Sequence, residues 1–492
     1  MRRALALSAA TLLLASACDW DYYSLMNSIP VEGDPAANPV IHVVLGIDGV
    51  PIDAASEAVA RGAFPGWHMA RHVTSFPGTS DVAWSRILHT TPVESYEYQY
   101  YDPQKHELVR NGYTGLLAHT IPLTEKPCYR AFDFSGNGLT NGYYNYRAPQ
   151  YSLGTTLDNI FTLLEGRVQS RSTKAFLGFI IETDVIGHMQ TREDFVAALE
   201  VIDRRIELFK AAHPERTWLF TLVSDHGHNF VASPDDKMIR FQNELPKVGV
   251  EVVDTLADRG PDSPLAAIPI VHTRVTYLSL NTVQEQAPEV AKRVSTFEFV
   301  DLAIAKIPAP EGARPEGLAW YAIWKGGELA LAFGHDSATD RYHVLPGGDP
   351  AALEMGWLLE ESAEGLSDEM LFARTLESVY PDLLYKTRTA LEPVGIRFPA
   401  QVLVSFAQPF ASVGFEVPGG ANEVATSSFH GAMHRKDSLG VVLTEERDLP
   451  PAFRSDNFLE FFPAVRRHLE SRLSLSPSVD ANESLDYAQV FP

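Results

Sequence analysis

Two short stretches gather side chains that bind cations. In "SDHGH" (224–228) an Asp and two His fall within four positions, and in "DVIGH" (184–188) an Asp and a His stand four apart with Gly187 directly before the His. On a helix a spacing of four puts Asp184 and His188 on one face, and on a turn the glycine permits the bend that folds them together. Asp225 and His226 are neighbours, which a regular strand would point to opposite faces; the glycine that follows lets the backbone break that rule.

These residues sit at the ends of strand-like runs. "VIHVVLGIDG" (40–49), "KAFLGFIIETD" (174–184) and "TWLFTLVSDHG" (217–227) are each apolar, rich in strand formers, and end on an acidic residue: Asp48, Asp184 and Asp225. Continuous apolar runs of this kind predict strands buried on both faces. Between the last two, Thr191 precedes Phe195, Leu199, Ile202, Ile206 and Phe209 at helical spacing, which predicts a capped helix and so a βαβ unit with a parallel sheet. Open parallel sheets place ligands at the carboxyl ends of their strands, and all three carboxylates fall there. Three carboxylates and two imidazoles at one sheet edge would repel and desolvate badly without a cation among them. Mixed Asp and His ligation suits zinc or a similar divalent ion, and the surplus of ligands suggests two ions, zinc first, with manganese or magnesium as alternatives.

Composition excludes other classes. The chain has 492 residues, 45% apolar and 21% charged, enough for a large core, and its net charge of −23 with no basic stripe argues against nucleic acid as a partner. Residues 1–18 carry Arg2 and Arg3, an apolar run from Ala4 to Leu14, then "ASAC" ending at Cys18, the layout of a secretory leader that is too short to span a bilayer. A Cys after small residues resembles a lipobox, which implies a lipid anchor on Cys18, a tether over 19–39, and a body from 40 to 492 on an envelope membrane, facing the periplasm or the cell surface. Cys128 would then be the one cysteine left in the body, so no internal disulfide is expected. Oligomeric state is not legible.

Further strands are expected in "TRVTYLSLN" (273–281), "EFVDLAIAKI" (298–307) and "GLAWYAIWKGGELALAFG" (317–334), the last a hairpin turning at Gly326-Gly327. Residues 345–400 read as helix and loop, an insertion or cap over the sheet or the site. His228 reads as a residue of the site edge or the surface, and "GHDS" (334–337) as a turn.

Together these stretches resemble the alkaline phosphatase superfamily of metal-dependent phosphomonoesterases and phosphodiesterases. The resemblance rests on "IDG" (47–49), "PGTSDVAW" (77–84), "DVIGH" (184–188), "SDHG" (224–227) and "FHGAMHRKD" (429–437), in the family's order. It implies an α/β fold with a mixed, mostly parallel central sheet, helices on both faces and inserted segments. It also implies one ion held by Asp184, His188 and His430, and a second held by Asp48, Asp225 and His226. The nucleophile is implied to be a Ser or Thr hydroxyl at the start of a helix, forming a covalent phosphoseryl or phosphothreonyl intermediate. Counting from Pro77 and toward Trp84 selects Ser80; aligning "SFP" and Pro92 with a gap selects Thr79. Ser80 is the first expectation, with Thr79 capping the helix.

The substrate implied is a small phosphate ester. Diesterase and nucleotide pyrophosphatase specificity is one alternative, a phosphotransferase or mutase a second, and a non-catalytic surface binding protein a third. Arg86, Lys105, Arg110 and Arg147 are candidate grips for a monoester's extra charge, and the Tyr-rich "VESYEYQYYD" (93–102) is a candidate stacking surface or packing element. No C/S-x-P-x-R motif of a sulfatase is present.

Overall fold

A computed structural model describes residues 40–94, 96, 99–110, 126–135, 144, 147–170, 174–231, 237–270, 275–311, 317–360, 365–412, 428–446 and 449–475. The leader over 1–18, with Cys18, and the tether over 19–39 lie outside the described residues.

Strand Val40–Ile47 lies next to one edge of a six-stranded sheet, in parallel with the edge strand Ala175–Ile180 on one side and with Thr217–Ser224 on the other. Leu439–Thr444 runs antiparallel between Thr217–Ser224 and His68–Val73, and Ala452–Arg454 closes the edge in parallel. The mixed, mostly parallel sheet read from the sequence is therefore the observed one.

Alternation along strand Val40–Ile47 explains its largely apolar run. Ile41, Val43, Leu45 and Ile47 pack under helices Ile52–Ala60, Pro149–Ser170 and Arg192–Ala212, while Val44 on the opposite face joins Trp84, Phe132, Phe179 and the Pro463–Leu475 helix residues Val465 and Leu469. With helices on both faces every position after Val40 is buried, and the one polar side chain among them, His42, is satisfied by Thr221 Oγ1 at 2.9 Å. Arg192–Ala212 starts as expected: Thr191 and Asp194 form a reciprocal capping box, and Phe195, Leu199, Ile202, Ile206 and Phe209 are its buried stripe.

A second sheet of nine strands is antiparallel except at its Glu251–Val252 edge. It contains the expected runs as Tyr277–Asn281, Val300–Ile307 and the hairpin Ala319–Lys325/Glu328–Asp336, whose turn residues Gly326 and Gly327 have φ of 60° and 87°. Positive φ at both central positions is the conformation of a type I′ two-residue hairpin loop. The "GHDS" stretch differs from the expected turn. Gly334, His335 and Asp336 finish a strand, His335 Nε2 lies 3.0 Å from Asp340 Oδ1, and the turn comes after them. Within 345–400, helices Asp368–Thr375 and Leu383–Ala390 pack among the core residues.

Candidate metal centre

Three neighbouring parallel strands deliver the carboxylates. Asp48 follows Val40–Ile47 directly, Asp225 follows Thr217–Ser224, and Ala175–Ile180 leads within two residues into helix Glu182–Met189, which carries Asp184 and His188 one turn apart. His430 arrives from the other side, where its carbonyl accepts the backbone N–H of Thr276 at 2.9 Å at the approach to the second sheet. Ser80 opens helix Ser80–Ile87, one strand beyond.

The six expected ligands converge as two groups. Asp184, His188 and His430 offer ligand atoms within 4.8 Å of one another, and Asp48, Asp225 and His226 do the same. His188 Nε2 lies 3.5 Å from Asp184 Oδ2, His430 Nε2 3.7 Å from Asp184 Oδ1, and His226 Nε2 3.5 Å from both Asp48 Oδ1 and Asp225 Oδ2. These gaps are long for hydrogen bonds. They fit two ligands of one tetrahedral ion, which at zinc bond lengths stand about 3.4 Å apart. The rings of His226 and His430, one from each group, stack with centroids 4.0 Å apart.

Hydrogen bonds orient the imidazoles. His188 Nδ1 lies 2.9 Å from the Ser428 carbonyl, His430 Nδ1 2.9 Å from that of Gly78, and His226 Nδ1 3.2 Å from that of Gly227. A carbonyl can only accept, so each Nδ1 carries the proton and each Nε2 turns a lone pair toward the carboxylates, the usual arrangement behind a metal-ligating histidine. Asp225 Oδ1 accepts the amides of Gly49 and His226 at 2.9 and 3.0 Å, whereas its buried Oδ2 has no hydrogen-bond partner among the described residues.

Electrostatics agree. Burial, then Asp225 and Asp184, raise Asp48 well above the usual carboxylate range, and burial raises Asp225 to about 7. Burial also works against the Asp184 carboxylate, but His188, His228 and His430 outweigh it and hold Asp184 well below that range. Burial lowers His226 and His228 to about 4 and His430 to about 3, so these rings are neutral and fit to bind a cation. A divalent ion would relieve the penalty on the two raised carboxylates.

Ser80 Oγ donates to Asp48 Oδ1 at 3.1 Å and lies 3.5 Å from His226 Nε2. Thr79 occupies the N-cap position, but its hydroxyl makes no cap bond, and Oγ1 is buried without a partner among the described residues. The expected cap is thus absent, because the Thr79 side chain points into the protein.

His228 is not a residue of the surface. It is 1% exposed, with Nε2 2.7 Å from Asp184 Oδ1 and Nδ1 3.1 Å from Ser428 Oγ. Its neighbours from other chain segments make this possible: a Cβ on Gly49 or Gly187 would come within 2.7 and 2.9 Å of His228 Nε2. A glycine beside a ligand in two separate motifs was the one available signal, and it shows only once the strands are assembled.

Of the candidate cations, Arg86 is buried, donating to Asp456 Oδ1 at 2.7 Å and Thr389 at 3.0 Å, and the exposed Lys105 pairs with the buried Asp102. Arg147 is exposed, and the Arg110 side chain lies outside the described residues. In the Tyr-rich run Tyr96 and Tyr101 are buried packing residues, and Tyr100 stacks on Phe398.

A sheet bearing metal-ligand clusters at its strand ends, with a serine hydroxyl beside them, defines a metal-dependent hydrolase. The family model for type I phosphodiesterase / nucleotide pyrophosphatase matches residues 66–311, half of the chain. The chain belongs to this family, within the alkaline phosphatase superfamily, and is a metal-dependent phosphoric ester hydrolase. Among solved structures it is similar to phosphonoacetate hydrolase from Sinorhizobium meliloti 1021 in complex with phosphonoformate, with 10% identity, TM-score 0.46, and coverage of 88% of this chain and 96% of that one. It is also similar to murine ectonucleotide pyrophosphatase / phosphodiesterase 5, with 8% identity, TM-score 0.43, and coverage of 86% and 94%. The human protein of that name gives 8%, 0.44, 87% and 94%. No curated protein sequence matches the chain.

Proposed function

We propose that the chain cleaves phosphodiester or nucleotide-type pyrophosphate bonds through a phosphoseryl intermediate on Ser80. Two divalent ions, zinc first, would be held by Asp184, His188 and His430 and by Asp48, Asp225 and His226. The observation that carries this reading is the Ser80 hydroxyl, hydrogen-bonded to Asp48 and 3.5 Å from His226, two members of one ligand group. Bound ions would lower the pKa of the attacking hydroxyl and take up the charge that develops on the transferred group.

Ser80 Oγ forms a bond to phosphorus while the ester oxygen leaves with its electron pair and gains a proton. Water then breaks the Oγ–P bond, returns a proton to Ser80 and releases the phosphorylated product. Ser80 opens a helix, so unpaired amides of the first turn favour the anionic group there. Family membership supports a diester or pyrophosphate substrate. The leader and "ASAC" support a protein exported and anchored through Cys18.

Elemental analysis coupled to a screen of phosphate diesters, pyrophosphates and monoesters tests the reading. The expected result is two ions per chain and diester or pyrophosphate hydrolysis that stops on chelation and returns with zinc, manganese or magnesium. Chelation should also lower the melting temperature, because ions that bind only the native state stabilise it. One ion or none in active protein overturns the two-ion site. Turnover of monoesters alone overturns the substrate class, and turnover that requires an acceptor alcohol in place of water makes the enzyme a phosphotransferase.

A further inference from the structure

Four imidazoles meet at this site, and one of them is held differently. His188, His226 and His430 each direct Nδ1 at a backbone carbonyl, which leaves Nε2 unprotonated and facing the carboxylates. For His228 the arrangement is reversed. Its Nδ1 lies 3.1 Å from Ser428 Oγ, and that oxygen already accepts the Phe230 amide at 2.8 Å, so the serine's own proton is free to point at Nδ1. With Nδ1 accepting, the ring proton sits on Nε2 and is donated to Asp184 Oδ1 at 2.7 Å.

That distance separates two roles. Asp184, His226 and His228 could also form a triad about an ion by proximity alone. Two ligands of one tetrahedral ion stand about 3.4 Å apart, however, and 2.7 Å is a hydrogen bond with the proton between the atoms. The backbone gives His228 that position at the expense of side chains elsewhere: Gly49 and Gly187 leave vacant the space where a Cβ would meet Nε2. Ser428 serves both kinds of histidine, its carbonyl fixing His188 as a lone-pair donor and its hydroxyl fixing His228 as a proton donor.

We infer that His228 is a positioning residue that pins the Asp184 carboxylate by donating Nε2–H to it, in a tautomer set by Ser428, and so tunes the affinity of the ion held by Asp184, His188 and His430 without ligating it. The inference rests on the two-ion reading above. Outer partners of this kind are worth 10–100-fold in metal affinity when removed, which sets the expected scale here at roughly the same.

Calorimetric titration of chelator-stripped protein with zinc is the test, with far-UV circular dichroism of each stripped variant as the control for folding. Wild type should take up two ions. His228→Ala should still take up two, one of them bound roughly 10–100-fold more weakly. His228→Gln, whose amide NH₂ can reach the position of Nε2–H, should recover most of that loss. Ser428→Ala should weaken the same ion by a smaller factor. Should the alanine variant fail to fold, His228→Asn supplies the contrast, because its shorter amide faces Ser428 and falls short of Asp184; it should bind as weakly as expected for alanine while His228→Gln binds near wild type. Unchanged affinity for both ions in His228→Ala overturns the inference. Loss of one ion altogether in both the alanine and glutamine variants also overturns it, by making His228 a ligand. A wild type that takes up fewer than two ions counts against the two-ion reading instead.

Discussion

Thr79 and Ser80 are adjacent hydroxyls with opposite surroundings. Ser80 Oγ donates to Asp48 beside His226, whereas Thr79 Oγ1 is buried and has no hydrogen-bond partner among the described residues. Adjacent side chains at a helix start diverge, so one position faces the ligands and the other faces the core. Ser80→Ala should abolish turnover while two ions remain bound. Thr79→Val, which keeps the shape and removes an unsatisfied hydroxyl, should keep turnover and leave the melting temperature equal or higher. Steady-state rates and melts of the two variants check this; an active Ser80→Ala with an inactive Thr79→Val would move the nucleophile to Thr79. At this scale the sequence was most informative where a motif carries its own geometry. The Asp-x-x-x-His spacing of 184 and 188 brings the pair together on either a helix or a turn, and a helical turn is what forms. It was least informative for His228, whose place depends on glycines 49 and 187, far away in the chain.

The segment that presents His430 is held by other elements. Thr276 donates its N–H and hydroxyl to the His430 carbonyl, the Met433 amide donates to Ser405 at 3.0 Å, and the Gly227 amide donates to the Asp437 carbonyl at 3.1 Å. From below, Lys386 on helix Leu383–Ala390 donates to the Met433 carbonyl at 3.1 Å and to Ser438 Oγ at 2.7 Å. "LLYKTRTA" reads as an ordinary helix with Lys386 on a polar face, and a lysine driven into the core by its partners has no local signature, so the support under the late His-Gly motif was not legible. Burial lowers Lys386 from its ordinary value of 10.5 to about 7. Between those values the unfolded chain binds the extra proton, so stability from this group is present above 10.5 and is lost as pH falls through about 7. The melting temperature of the wild type relative to Lys386→Met should therefore rise from about pH 7 toward pH 10. Parallel curves for the two proteins across that window would mean that Lys386 titrates no differently when folded.

At the scale of the whole molecule, the three parallel strands Val40–Ile47, Ala175–Ile180 and Thr217–Ser224 were legible because each is an apolar run with a candidate ligand carboxylate shortly after its end, whereas the sheet's other three strands, which end on no candidate ligand, were not. The nine-stranded antiparallel sheet was legible only in part. Tyr277–Asn281 and Val300–Ile307 could be seen as strands, but their pairing to either side of Val402–Phe406, a hundred residues further on, has no sequence signal. Among the described residues no helix is long and apolar enough to cross a membrane. An anionic leaflet would repel this acidic chain, net charge −23, which favours an attachment that does not depend on charge. The "ASAC" stretch offers such an attachment, because a lipidated Cys18 would hold the chain by acyl chains and not by charge. The first candidate site residue, Asp48, lies thirty positions later, with the 19–39 stretch between. Cys18→Ser should accordingly shift the protein from the membrane fraction to the soluble fraction of its native host with kcat and KM unchanged. Fractionation followed by assay of both fractions decides it: a mutant that stays with the membranes would show that the anchor lies elsewhere in the chain.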